Sequence, residues 1–195
     1  MPAPNPKRIY AGRWIRPELL GGSPEWTAGL RRHAPTVWII AGGLILCILL
    51  PITGFPGLYV AAVAAGAFYL DNEPRELLQL PEMGPCQLLV RKVLTAWRNY
   101  FLLTLPFALL AILAHPRTAW IAAAWAPLSA LALLYAVVAK YAHYLPDTSR
   151  RQPLAARLGS AGFIIPVLLP LSLCLTVSYA LRAERNLNRF LHDYD

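Results

Sequence analysis

The chain has 195 residues, of which 57% are hydrophobic and only 14% charged, with a mean hydropathy of +0.45. A soluble domain carries about 25% charged residues, so composition argues against a water-soluble globule and for an integral membrane protein. The net charge of +8 lies outside the apolar blocks. There it fits the cytoplasmic side of a membrane and anionic head groups, and no nucleic-acid partner is expected.

In chain order, the first 34 residues form a basic segment. Met1-Pro-Ala-Pro-Asn-Pro6 reads as disordered. Lys7, Arg8, Arg13, Arg16, Arg31 and Arg32 then interleave with Trp14, Leu19, Leu20, Trp26 and Leu30. That mixture predicts an amphipathic helix lying on the bilayer, or alternatively a solvated basic tail. The first apolar run starts near residue 36 and is too long for the core of a cleaved signal peptide.

Four stretches contain no Asp, Glu, Lys or Arg: Thr36–Leu70, Asn99–Pro116, Thr118–Ala139 and Leu158–Leu181. A spanning helix needs about 20 apolar residues. The first stretch holds two, broken at Pro51-Ile-Thr-Gly-Phe-Pro56-Gly57, which predicts helices at about 35–52 and 56–70 joined by a tight turn. The second stretch extends backwards through Val93–Arg98. The third is the clearest span. The fourth contains Pro166 and Pro170, which predict a kink or a break. The fold class is therefore all-α: a polytopic helix bundle over residues 35–181 with about five transmembrane helices, or six if the last block is a hairpin. A polar tail covers 182–195.

Loop charges set the orientation. The N-terminal segment, the 71–98 loop and the 140–157 loop are rich in Lys and Arg, whereas the turn near Pro51 has none and the loop around His115 has only Arg117. The N-terminus is thus expected in the cytoplasm. Arg182, Arg185 and Arg189 in the tail break this pattern if there are five crossings, and a proline-broken hairpin in the last block would repair it.

The chemistry-bearing motifs are few. No phosphate-binding loop, no nucleophile elbow and no zinc-protease motif occurs. The apolar stretches lack ionisable residues apart from His115, which argues against a pump or proton relay. No catalytic residue, cofactor site or metal site is expected, and the chain reads as a non-enzyme. Cys47 and Cys174 lie in apolar blocks and read as packed small hydrophobes, Cys86 as a loop thiol. Four-residue spacings of small residues, Ala61/Ala65, Ala62/Gly66 and Ala122/Ala126/Ala130, mark a helix–helix face or simply alanine-rich membrane composition.

The segment Asp71–Lys92 is the most informative polar stretch. Pro74 suits the first turn of a helix, Asp71 or Asn72 its cap, and Pro81 its end. Leu77, Leu78 and Leu80 give that short helix an apolar face, and a second helix begins near Pro85 and runs into the third span. The short helix, between spans 2 and 3, is either a docking handle for a soluble partner or an element resting on lipid.

Glu76-Leu-Leu-Gln-Leu-Pro81 followed by Leu88-Leu-Val-Arg-Lys92 resembles a segment of permease subunits in bacterial ABC exporters of the ABC-2 kind. Lys140-Tyr-Ala-His-Tyr-Leu-Pro146 and Arg182–Leu191 are similar to short permease-like proteins of Bacteroidetes-type bacteria. The resemblance covers about residues 70–195. It implies an inner-membrane transport subunit that forms a homo- or hetero-oligomer and docks a separate ATPase. Its candidate docking residues would be Arg75, Glu76, Leu77, Leu80, Pro81, Arg91 and Lys92. Permeases of that family have six spans, one more than expected here. The alternative is a non-catalytic accessory subunit of a larger bacterial membrane complex, respiratory or secretory.

Overall fold

A computed structural model describes residues 23–70, 72–74, 77–78, 83–145 and 153–191. Among these residues every regular element is helical. The helices are α1 (Pro24–Arg32), α2 (Ala34–Leu49), α3 (Gly54–Ala65), α4 (Pro85–Ala114), α5 (Ile121–Ala142), α6 (Leu154–Ala161) and α7 (Leu169–Leu191). A 3₁₀ turn, Gly66–Tyr69, extends α3.

Two helices, α4 and α5, are long and apolar enough to cross a membrane. A third crossing is counted if α1 and α2, bent by 84° at His33, act as one broken span. With its 3₁₀ extension α3 is a shorter apolar helix, Gly54–Tyr69. The expected count of five rests on more than these. The outer faces of the bundle carry uncovered Trp38, Ile39, Leu113 and Val167, side chains suited to hydrocarbon rather than water. Together with the two long apolar helices they mark an integral membrane protein.

The proline–glycine break at residues 51–57 divides the first apolar stretch as expected, with α2 ending at Leu49 and α3 starting at Gly54. Thr53 donates its hydroxyl to the Cys47 carbonyl at 2.6 Å, adding a second donor to an end carbonyl of α2 that also accepts from the Leu50 N–H at 3.2 Å. α4 runs unbroken from Pro85 through Pro106 to Ala114. Lys92 and Arg98 therefore belong to the same rod as the apolar Phe101–Ala114 stretch. Thr104 donates to the Tyr100 carbonyl at 2.8 Å. α3 lies against α5, and α2 and α4 flank it.

The last apolar block is not one kinked helix. It starts as α6, breaks after Ala161, passes a 3₁₀ turn at Pro166–Leu168 and resumes as α7. Ser172 at the start of α7 donates to Gly159 in α6 at 2.7 Å. Tyr135, in the middle of α5, donates to Ala156 of α6 and packs on Phe163 and Tyr179. Further along α7, Asn186 donates to the carbonyls of Tyr141 and Tyr144 at 3.0 and 2.9 Å. α7 therefore runs in the same direction as α5, and its basic end lies beside the end of α5. A Cβ on Gly159 would fall 2.0 Å from the Tyr135 hydroxyl, so only glycine lets α6 approach this closely. Cys174, expected to pack inside, is exposed on α7, because the buried stripe of that helix is Ser172, Thr176, Tyr179, Ala183 and Leu187.

Of the basic N-terminal segment, Pro24–Arg32 forms α1, which buries Trp26 and Leu30 within the bundle and exposes Arg31 and Arg32. Residues 1–22 and the end of the tail, 192–195, lie outside the described residues. So do Arg75, Glu76, Leu80 and Pro81 of the short helix expected between spans 2 and 3.

Candidate functional site: an ionic cluster at the stem of the 71–84 segment

Four charged side chains from four elements meet at one end of the bundle. Pro24 at the first position of α1 leaves Glu25 in its first turn, where the helix dipole favours a carboxylate. Lys92 sits two turns into α4 and Lys140 in the last turn of α5. Glu73 comes from the segment that joins the 3₁₀ turn to α4. The Lys92 ammonium donates to Glu25 at 2.6 Å and to Glu73 at 2.8 Å. The Lys140 ammonium donates to the other Glu73 oxygen at 2.6 Å and lies 3.8 Å from Glu25. With all four ionised the cluster is neutral.

Burial makes this arrangement demanding. The Lys140 side chain is 1% exposed, whereas that of Lys92 is 17% exposed. Removing an ion from water costs several kcal/mol even after relaxation, and pairing offsets this only with good geometry and full hydrogen bonding. The surrounding aromatic side chains supply that bonding. Tyr141 donates to Glu73 Oε1 at 3.0 Å, and Tyr144 donates to the Glu73 backbone carbonyl at 2.7 Å. Ser23, capping α1, donates to Glu25 at 3.0 Å. Trp26 donates its indole N–H to the Tyr69 hydroxyl at 2.8 Å. The Lys140 ammonium also lies 5.7 and 5.4 Å from the ring centres of Tyr69 and Tyr141, within cation–π range. Burial alone would raise the Glu73 carboxyl. The Glu25 side chain and the two ammonium groups outweigh it and hold Glu73 well below the usual carboxylate range.

The effect is to clamp the root of the 71–84 segment. Asn72 adds a hydrogen bond to the Leu145 carbonyl at 3.0 Å. One short stretch, Asn72–Glu73, is thereby tied to α1, α4 and both sides of the end of α5. Each carboxylate is held by ammonium and hydroxyl donors, so the cluster joins elements and offers no nucleophile. Among the described residues no group of His, Cys, Asp and Glu is placed to hold a metal ion.

The candidate docking residues separate in space. Leu77 is exposed, and so is Arg91, which reaches the Met83 sulfur at 3.6 Å. Lys92 turns inward to the two carboxylates, because one helical step carries it from the outer face of α4 to the inner one. Leu78 is buried. Sequence reasoning did not single out Glu25, Glu73 or Lys140 as a unit. The available signal was the lone Lys140 after Val137-Val138-Ala139, flanked by Tyr141 and Tyr144, since a lysine so close to an apolar run needs an acidic partner.

No family model, no curated protein and no solved structure matches this chain, so the cluster and the elements it joins are the grounds for a functional reading.

Proposed function

We propose that the chain is a permease-like subunit of an ABC transport complex in a bacterial inner membrane. In this reading the charged end faces the cytoplasm, α2 to α5 cross the bilayer, and α6 and α7 enter it and return. That places α1 and the tail arginines on one side, in keeping with the positive-inside rule. A separate ATPase docks on the outer side of the 71–92 segment, using Leu77 and Arg91 together with Arg75, Glu76, Leu80 and Pro81.

The observation that carries the proposal is the clamped stem. A docking element must pass a push from a soluble partner to the membrane helices, and a loop on a loose stem cannot do so. Here Glu73 is bonded at once to Lys92 in α4 and to Lys140 and Tyr141 in α5. A displacement of the segment therefore loads both long apolar helices, the kind of rigid-body coupling that switches bundles between two arrangements.

The test is co-purification of an ATPase encoded beside this chain in mild detergent, with the wild type and with Leu77→Asp and Arg91→Glu. Both side chains are exposed, so both variants should fold and run as the wild type in size-exclusion chromatography. Loss of the ATPase from the variants supports docking; full retention, or no ATPase with the wild type, sinks it.

A second reading, an accessory subunit within a larger complex, is favoured by a different observation. Away from the charged end, Tyr100, Trp125 and Ser129 are neutral and engaged with one another: Trp125 donates to the Tyr100 hydroxyl at 3.0 Å, and Tyr100 to the Leu58 carbonyl at 2.7 Å. Such groups cement helices and do not line a path for a polar cargo. Recovery of redox or secretion subunits, in place of an ATPase, would select this reading.

A further inference from the structure

Arg98 is the deepest charged side chain of α4. It lies six residues beyond Lys92, a rise of about 9 Å at 1.5 Å per residue. Its neighbour Trp97 donates to the Ala130 carbonyl of α5 at 2.8 Å, and Ala130 precedes Lys140 by ten residues, about 15 Å along the helix. Measured from the charged end, Arg98 is thus well inside a hydrocarbon core about 30 Å thick. Its side chain is exposed on the outer face of α4, yet it is held at this depth. Nε and Nη2 both donate to Asn99 Oδ1, at 3.3 and 3.1 Å, and Asn99 is fully buried in the bundle. Among the described residues no carboxylate lies within ion-pair distance of Arg98. The groove beside it is lined by α4 alone, apart from Met83 just ahead of that helix. Further along the same face, Leu102, Leu105 and Leu109 are half exposed. They follow Arg98 at steps of four, three and four residues, the spacing of a helix–helix seam.

We infer that this face of α4 binds a transmembrane helix of a different subunit, one that carries a carboxylate at the depth of Arg98. An ionised side chain at membrane depth is costly unless it is paired. Asn99 takes one edge of the guanidinium, and the donors left over form a planar fork that fits a carboxylate. A lipid phosphate is the wrong counter-ion for this position. It stays at head-group level, where Arg91 is exposed in the same groove, two turns nearer the charged end, and meets it first. A second copy of this chain is also the wrong occupant. All ten of its Asp and Glu residues lie outside the four apolar stretches, so a copy packed alongside has no acid to offer at this depth. The Leu102, Leu105 and Leu109 seam supplies the apolar contact, and the single charge fixes the register of the incoming helix. Such a subunit fits either reading of the function, whatever soluble partner docks at the 71–92 segment.

The probe is a synthetic leucine-rich transmembrane helix with one central Glu, compared with the same helix carrying Gln or Lys there. Each is combined with the full-length protein in phosphatidylcholine vesicles at neutral pH, and association is read by fluorescence energy transfer. The wild type should bind the Glu helix at least about tenfold more tightly than the Gln helix, a margin of about 1.4 kcal/mol. Arg98→Met alters one exposed side chain and should erase that preference, whereas Arg98→Glu should turn it toward the Lys helix. Equal binding of the Glu and Gln helices by the wild type, or an undiminished preference in Arg98→Met, overturns the assignment. Added phosphatidylglycerol should leave binding of the Glu helix unchanged; displacement of the helix by this lipid would make a phosphate the occupant. Dimerisation of the wild type alone that Arg98→Met abolishes would make the occupant a second copy. Either result equally overturns the assignment.

Discussion

Two buried polar networks stabilise this bundle, and they use different chemistry. At the charged end Glu25, Glu73, Lys92 and Lys140 pair as ions. Deeper in the bundle Tyr100, Trp125, Ser129 and the Leu58 carbonyl pair as neutral groups. Along α5, Ser129 and Lys140 are 11 residues apart, about 16 Å at the helical rise, so the neutral network lies about one leaflet below the ionic one. The contrast follows from what each depth permits. A charge at the bilayer centre is expensive, and its pairing is never guaranteed during insertion. A hydroxyl or indole N–H costs less to bury and still fixes helices in register. Near the interface water can solvate ions while the bundle assembles, so a stronger but riskier clamp becomes affordable there.

The largest expected effect comes from breaking the ionic network at its driest point. Lys140→Met leaves Glu73 and Glu25 sharing one ammonium and should cost about 3–5 kcal/mol, the range for orphaning a buried charge. Thermal denaturation in detergent would show it as a large drop in midpoint, and adding Glu73→Gln should restore part of the loss. A single-variant midpoint equal to that of the wild type would mean that the cluster contributes no cohesion. Lys92→Met should cost less, about 2 kcal/mol, because its more exposed side chain admits water to the carboxylates it leaves.

The neutral network should be weaker per group. Tyr100→Phe removes a donor to Leu58 and the acceptor of the Trp125 N–H, with an expected cost of about 1–2 kcal/mol. A cost exceeding that of Lys140→Met would invert the ranking of the two networks and make the deeper one the main clamp.

The two networks were unequally legible in the sequence. The helices were visible because apolar runs and the Pro51–Gly57 break are local patterns, and the start of α4 at Pro85 follows from the residue itself. The return of α7 was visible only as a conflict between Pro166, Pro170 and the tail arginines, and its resolution needed Tyr135 and Asn186 in space. The ionic cluster was signalled only by Lys140 at the end of an apolar run, and its partners could not be read. Its ion pairs join residues 19 (Glu73 and Lys92) to 115 (Glu25 and Lys140) positions apart, and only helix packing brings them together. Lys92 was expected on a docking surface because its run Arg91-Lys92 says nothing about which face each residue takes.

The smallest expected effect is also the one that tells the networks apart without ambiguity, since only one of them contains a carboxylate whose ionisation in acid is part of the bonding. Glu73 lies outside the spanning helices, and its carboxyl is held well below the usual carboxylate range in the folded protein. Unfolded, it would titrate near the reference value of about 4.3. The folded state therefore binds fewer protons than the unfolded one in the window below that value, and stability rises with pH there. The stabilisation from Glu73 is thus fully present above the unfolded value and is lost as pH falls through the lower folded one. The midpoint difference between wild type and Glu73→Gln should stay flat from about pH 8 to 5 and shrink below about 4.3. The difference between wild type and Tyr100→Phe should stay constant across the same range, since hydroxyl, indole and carbonyl groups make up its bonds. A Glu73 difference that instead grows as pH falls between about 7 and 5 would place the folded carboxyl above its reference value, and the two lysines would then not be holding it as an ion.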